Sequence, residues 1–219
     1  FVVVRDHASG ADTLVACDAG PEETRAFLRR WEEAGNAPAK ADGGATPATL
    51  ESNFSRPAYL AAVERVREYI RAGDIYQANL SQRFRGRWEG DPYALFLRLF
   101  EANPAAFFAY VKGPGFSLVS TSPERFLARR GDAVASEPIK GTRPRGGTEA
   151  EDLRQRAELL DSPKDAAELN MIVDLVRNDL GRVCRTGSVR VAEHRRVESY
   201  RNVHHLVSRV EGELAPGTS

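Results

Sequence analysis

The chain has 219 residues, and its 31 lysines and arginines are matched by 31 aspartates and glutamates. That length fits one large or two small domains with room for a sizeable core. Zero net charge gives no electrostatic case for a nucleic-acid or membrane-surface partner, and no apolar run is long enough to span a bilayer. Cys17 and Cys184 are the only cysteines. They have no metal or redox spacing, and the start shows no signal-peptide pattern, so the expected setting is the cytoplasm. The chain opens inside Phe1-Val2-Val3-Val4 and stops just after a strand-like segment. The expectation is a fragment of a longer protein.

In chain order, residues 1–5 and 13–17 read as strands around a Ser9-Gly10 turn, and 21–33 reads as a helix. Residues 35–49, rich in Ala, Gly and Pro, read as a mobile linker. An N-terminal segment, 1–52, thus precedes a main domain, 53–219. Ser55 caps the next helix, with Pro57 in its first turn and Gly73 ending it. Its stripe Tyr59, Val63, Val66 and Ile70 has helical spacing and is expected to pack into the core. Residues 75–85 read as a strand, and Asp91-Pro92 opens another helix. Residues 106–112 and 116–121 form a hairpin around Gly113-Pro114-Gly115. Residues 125–130 and 133–139 form the next, turning at Gly131-Asp132. Thr148 and Glu151 fit a capping box for a helix to about Leu160, and Ser162-Pro163 starts a further one. Residues 188–192 and 205–213 close the chain as strands. Hairpins with helices between them predict an α+β fold with antiparallel sheets, not a doubly wound one.

Two places invite chemistry. Pro138-Ile139-Lys140-Gly141-Thr142 reads as a turn that holds one lysine between a stiffening proline and a permissive glycine, with Arg143 and Arg145 close behind. Nearby cations and partial burial would free such an amine as a nucleophile. The hairpin after Glu124 can bring that carboxylate to the same end of a sheet. The pair reads either as acid and nucleophile or as a surface salt bridge beside an ordinary turn. Residue types alone favour the salt bridge. Glu168, at the border of the apolar side of its helix, fits a Mg²⁺ ligand, though a surface pair with Lys164 one turn away is the simpler reading. His204 and His205 point to opposite faces of a strand, so one of them is a candidate for burial. Gly-rich phosphate loops, zinc spacing and serine elbows are absent.

Several segments together resemble the chorismate-utilising enzymes, and among them the aminodeoxychorismate synthase component I branch. They are Gly73-Asp74-Ile75-Tyr76-Gln77-Ala78-Asn79-Leu80, Ser122-Pro123-Glu124-Arg125-Phe126 and Pro138 to Arg145. Lys164 to Leu175, Arg177-Asn178-Asp179-Leu180-Gly181 and His204-His205-Leu206-Val207-Ser208 complete the set. The resemblance covers residues 53–214 and implies sandwiched antiparallel sheets with outer helices. It places a general acid at Glu124, a covalent lysine at Lys140, substrate contacts at Gly141 and Thr142, a Mg²⁺ ligand at Glu168 and an active-site histidine at His205.

Lys140 favours that branch, because anthranilate synthases usually carry alanine there. Gln77 stands where isochorismate and salicylate synthases keep a water-activating lysine, which argues against water as nucleophile. The implied reaction is amination of chorismate to 4-amino-4-deoxychorismate for 4-aminobenzoate and folate synthesis. The ammonia would come from a glutamine amidotransferase partner. The alternatives are anthranilate synthase component I and a catalytically inactive truncated module. The family's later loop and second Mg²⁺ carboxylate are missing, so the expectation is half a site. An early part that helps form a tryptophan pocket in some members is expected to be missing too.

Overall fold

The computed structural model describes residues 2–5, 9–16, 19–35 and 49–218. The chain divides into two compact units, Phe1–Asp42 and Gly43–Ser219. In the first, β1 (Val2–Arg5) pairs antiparallel with β2 (Asp12–Val15). Gly10 supplies the left-handed turn residue at φ 71°. Helix α1 (Pro21–Gly35) follows, with Phe27 and Trp31 stacked one turn apart. Phe1, Cys17 and most of the expected 35–49 linker lie outside the described residues.

The second unit begins with β3 (Glu51–Ser52) and α2 (Arg56–Ala72). Ser55 Oγ accepts the Ala58 N–H, and Gly73 closes the helix at φ 83°. The helix forms as expected, but its apolar stripe does not enter the core. Tyr59, Val63 and Val66 are half-buried and Ile70 is exposed. Helical spacing creates a stripe, whereas burial needs a facing surface. The strand expected over 75–85 shrinks to β4 (Phe84–Arg85), which pairs with β3. Strand propensity is expressed only where a partner's backbone groups are within reach.

Asp91 caps α3 (Pro92–Ala102), accepting the Tyr93 N–H. The helix rests on the hairpin of β5 (Phe107–Gly113) and β6 (Phe116–Ser122). Aromatic contacts join them: Tyr93 and Phe96 meet Tyr110, and Phe100 meets Phe108 edge-on at 6.0 Å.

The main sheet contains β7 (Arg125–Arg130), β8 (Ala133–Glu137), β9 (Ile139–Pro144), β10 (Arg190–Ser199) and β11 (Val203–Glu213). Its order is β10-β11-β8-β7, all antiparallel, with β9 also on β11. β11 has 11 residues, enough to hold β8 along its second half and β9 along its first. Two expectations are corrected here. Lys140 lies in a strand, not a turn, and the last two strands are longer than expected, together filling much of 190–213. The prolines and glycines around Lys140 suggest a turn, but pairing with β11 makes that stretch extended.

Helices α4 (Glu149–Asp161) and α5 (Pro163–Gly181) pack on β9 and β11. Thr148 and Ser162 cap them as expected, accepting the N–H groups of Glu151 and Asp165. Alternation along β11 turns Leu206 and Val210 toward these helices, and Leu214 just past its end follows them. There they join Val134, Leu159, Leu169, Val173, Leu180 and Cys184 in one core. The architecture is α+β, as the element pattern predicts.

Candidate active site

Five of the six expected site residues gather where β9 meets β11 and the β6–β7 connection. Thr142 lies opposite His205, and Ile139 lies opposite Val207. Two residues of β9, Lys140 and Gly141, therefore face one residue of β11, Leu206. This is a β-bulge, a device that breaks the regular alternation and re-aims a side chain. Gly141 makes it possible at φ 82°. A Cβ there would come within 2.9 Å of both Asp165 Cβ and Leu159 Cδ1. Glycine is thus required twice, by backbone angle and by the two helices pressed against it.

Glu124 reaches this bulge from the connection between β6 and β7. Its Oε1 accepts the Ile139 N–H at 2.8 Å, immediately before Lys140. Its own N–H donates to Ser122 Oγ at 3.3 Å. The hairpin β7–β8 therefore does bring Glu124 and Lys140 together, but not as a salt bridge. Lys140 is half-buried, and its amine has no hydrogen bond or ion pair among the described residues. A half-buried lysine with an unpaired amine, one residue past the amide that holds a carboxylate, supplies the parts of a nucleophile and an acid.

His205 borders the same place. Its Nδ1 lies 3.0 Å from Thr142 Oγ1, and the Tyr200 ring meets it edge-on at 5.6 Å. Burial pulls the His205 imidazole below the ordinary histidine value, against a hydrogen bond to the Gly141 backbone and the charges of Glu198 and Glu124. It is therefore neutral at pH 7. Glu198, opposite His205 in register, receives the Tyr200 hydroxyl at 2.7 Å and the Arg196 guanidinium. Burial works against the Glu198 carboxylate, yet these two donors hold it below the usual range. Burial and that carboxylate push the Tyr200 phenol up to about 12, so it stays a donor. Neither Glu198 nor Tyr200 is legible in the sequence, because both fall in the stretch between the two short strands expected there. The hairpin extending to Ser199 brings them in.

Of the two histidines, His204 is the buried one, at 1% exposure. It faces the helices, not the site, with Nε2 2.9 Å from Asp152 Oδ1. Arg143, also turned that way, donates to Asp165 Oδ2 at 2.9 Å. Burial opposes the Asp165 charge, but Ser162 and Arg143 keep its carboxyl below the ordinary value.

Glu168 stands three positions after Asp165, on the adjoining part of the same helix face. Its Oε1 is 3.7 Å from Lys164 Nζ, the surface pair that spacing suggested. It has no hydrogen bond or ion pair to Glu124, Thr142 or His205. Among the described residues no cluster of three or more His, Cys, Asp or Glu is arranged to hold a metal ion. Mg²⁺ commonly takes one or two protein carboxylates and completes its shell with substrate oxygens and water. Glu168, half-exposed and only loosely paired, fits one such ligand position. No helix among the described residues is long and apolar enough to cross a membrane.

The chain matches the family model described as "chorismate binding enzyme" over residues 1–219. It is 49% identical over 172 residues to anthranilate synthase component 1 1 of Haloarcula marismortui, covering 78% of this chain and 35% of that protein. It is 42% identical over 172 residues to aminodeoxychorismate synthase component 1 of Bacillus subtilis, covering 78% and 37%. Among solved structures, anthranilate synthase component I from Streptococcus pneumoniae superposes with a TM-score of 0.84 at 29% identity, covering 98% of this chain and 49% of that one. The chain thus spans less than half the length of the curated relatives it matches. With the bulged lysine strand, the held glutamate and a family match along its whole length, this chain belongs to the chorismate-binding enzymes.

Proposed function

We propose that the site aminates chorismate at C4 to give 4-amino-4-deoxychorismate. The observation that carries this reading is Lys140. An unpaired, half-buried amine sits on a bulge, directly after the amide that fixes Glu124. Lys140 Nζ attacks ring C2, both ring double bonds shift along the conjugated diene, and the C4 hydroxyl leaves as water with a proton from Glu124. Ammonia then adds at C4 and expels the lysine amine, so that chorismate and ammonia give the amino product and water. Gly141 and Thr142 line the substrate, and neutral His205 offers a hydrogen bond without adding charge. Glu168 would contribute one carboxylate to Mg²⁺, whose charge offsets that of the substrate carboxylate. The ammonia comes from a glutamine amidotransferase component, and the pathway is that of 4-aminobenzoate and folate in the cytoplasm.

A second reading, anthranilate formation, is favoured by relatives of that name at 49% and 45% identity. The gene product is tested with chorismate, ammonium and Mg²⁺, and the products are separated by chromatography. Aminodeoxychorismate is expected from the parent. Lys140→Ala is expected to lose most of it, with some product shifting to anthranilate. Anthranilate from the parent would overturn amination at C4, and unchanged aminodeoxychorismate from Lys140→Ala would overturn the covalent role.

A further inference from the structure

The turn between β10 and β11 is gripped from the far side of the sheet. Asp152, in the first turn of α4, receives a two-pronged bond from Arg145, at 2.6 Å from Nε and 2.8 Å from Nη2. The Gly146 N–H adds a third bond, and His204 Nε2 lies 2.9 Å from the same carboxylate. Arg145, so fixed, donates from Nη1 to the Tyr200 carbonyl at 2.8 Å, and its backbone N–H donates to the Asn202 carbonyl. On the other side His204 Nδ1 is 2.8 Å from Ser199 Oγ. The links from Asp152 through Arg145 and His204 thus end on Ser199, Tyr200 and Asn202, the segment that carries the Tyr200 ring to His205.

We propose that Asp152 is a positioning residue for this site: through Arg145 and His204 it fixes the β10–β11 turn and so sets Tyr200 edge-on against His205. Asp152 touches neither His205 nor any residue expected to meet substrate. The groups that do face His205 are Glu198 and Tyr200 from β10 and its turn, Thr142 and the Gly141 backbone from β9, and Glu124 from the β6–β7 connection. The forked guanidinium is what makes the grip possible. One face of Arg145 holds the carboxylate while the remaining nitrogen holds the turn, a geometry lysine lacks. The Arg145 and Gly146 donors hold the Asp152 carboxyl far below the usual range, so the grip persists throughout the neutral and mildly acid range.

The inference rests on His205 belonging to the site proposed above, and its test does not depend on which product forms. The His205 ring is followed by NMR through a pH titration, with His205→Gln identifying its signal. In Asp152→Asn the amide cannot take the forked pair, the turn loosens, and water reaches the imidazole. The titration midpoint is expected to rise toward the ordinary value of about 6.5. Loss of a distant negative charge alone would move it the other way, so the sign separates positioning from simple electrostatics. Arg145→Lys keeps the charge and is expected to shift the midpoint upward as well. It also serves if Asp152→Asn does not fold. Leu169→Ala, a core change at a residue that makes no bond to the turn, controls for general loss of stability and is expected to leave His205 unmoved. Variants that lose stability while the His205 midpoint stays put, or falls, would make Asp152 a purely structural residue and overturn the proposal.

Discussion

Gly141→Ala tests whether the bulge beside Lys140 is built as described. Alanine would have to adopt φ 82°, the left-handed region, at roughly 1–2 kcal/mol. Its methyl group would come within 2.9 Å of Asp165 Cβ and Leu159 Cδ1 and 3.0 Å of Asp165 Cγ. Neither neighbour yields easily, because Leu159 is fully buried and Asp165 is tied to Arg143. Overpacking of this kind adds about 1–3 kcal/mol. The sum, about 2–5 kcal/mol, lowers the unfolding midpoint of a chain this size by about 4–20 °C. Gly187 provides the control. It has the same φ of 82°, but a methyl group there would meet no atom within 4 Å, so Gly187→Ala carries about 1–2 kcal/mol of strain alone. Circular dichroism melts of both variants and the parent measure the difference. Equal shifts for Gly141→Ala and Gly187→Ala, or none in Gly141→Ala, would refute the tight contact between bulge and helix.

Glu168→Gln is expected to weaken the Mg²⁺ dependence of chorismate binding, measured by calorimetry, while leaving the melt nearly unchanged. The exposed pair it breaks with Lys164 is worth only about 0.3–0.5 kcal/mol, and an identical Mg²⁺ dependence in variant and parent would remove Glu168 from the metal. Leu169→Ala empties a fully buried position in the core beneath the sheet. It should cost about 2–5 kcal/mol in urea unfolding, and a loss well under 1 kcal/mol would mean that α5 does not pack as described.

Local signals along the chain were enough for the elements that depend on near neighbours. Ser55, Asp91, Thr148 and Ser162 announce helix starts because their side chains satisfy N–H groups two or three residues away. The Gly113-Pro114-Gly115 and Gly131-Asp132 turns fix two hairpins for a similar reason. The residue motifs around Glu124, Lys140, Glu168 and His205 also sufficed to identify the family. Features that depend on partners distant in the chain emerged only from the packed fold. Lys140 looked like part of a turn, and only pairing with β11 makes it a bulged strand. The stripe on α2 had the spacing of a core helix, yet no surface among the described residues buries it. Which histidine faces the site followed from the side of β11 that α4 and α5 cover. Asp152, Glu198 and Tyr200 carried no motif at all. Their roles arise from hydrogen bonds between residues more than fifty positions apart, and such pairings are set by how the sheet and helices stack, which no local pattern encodes.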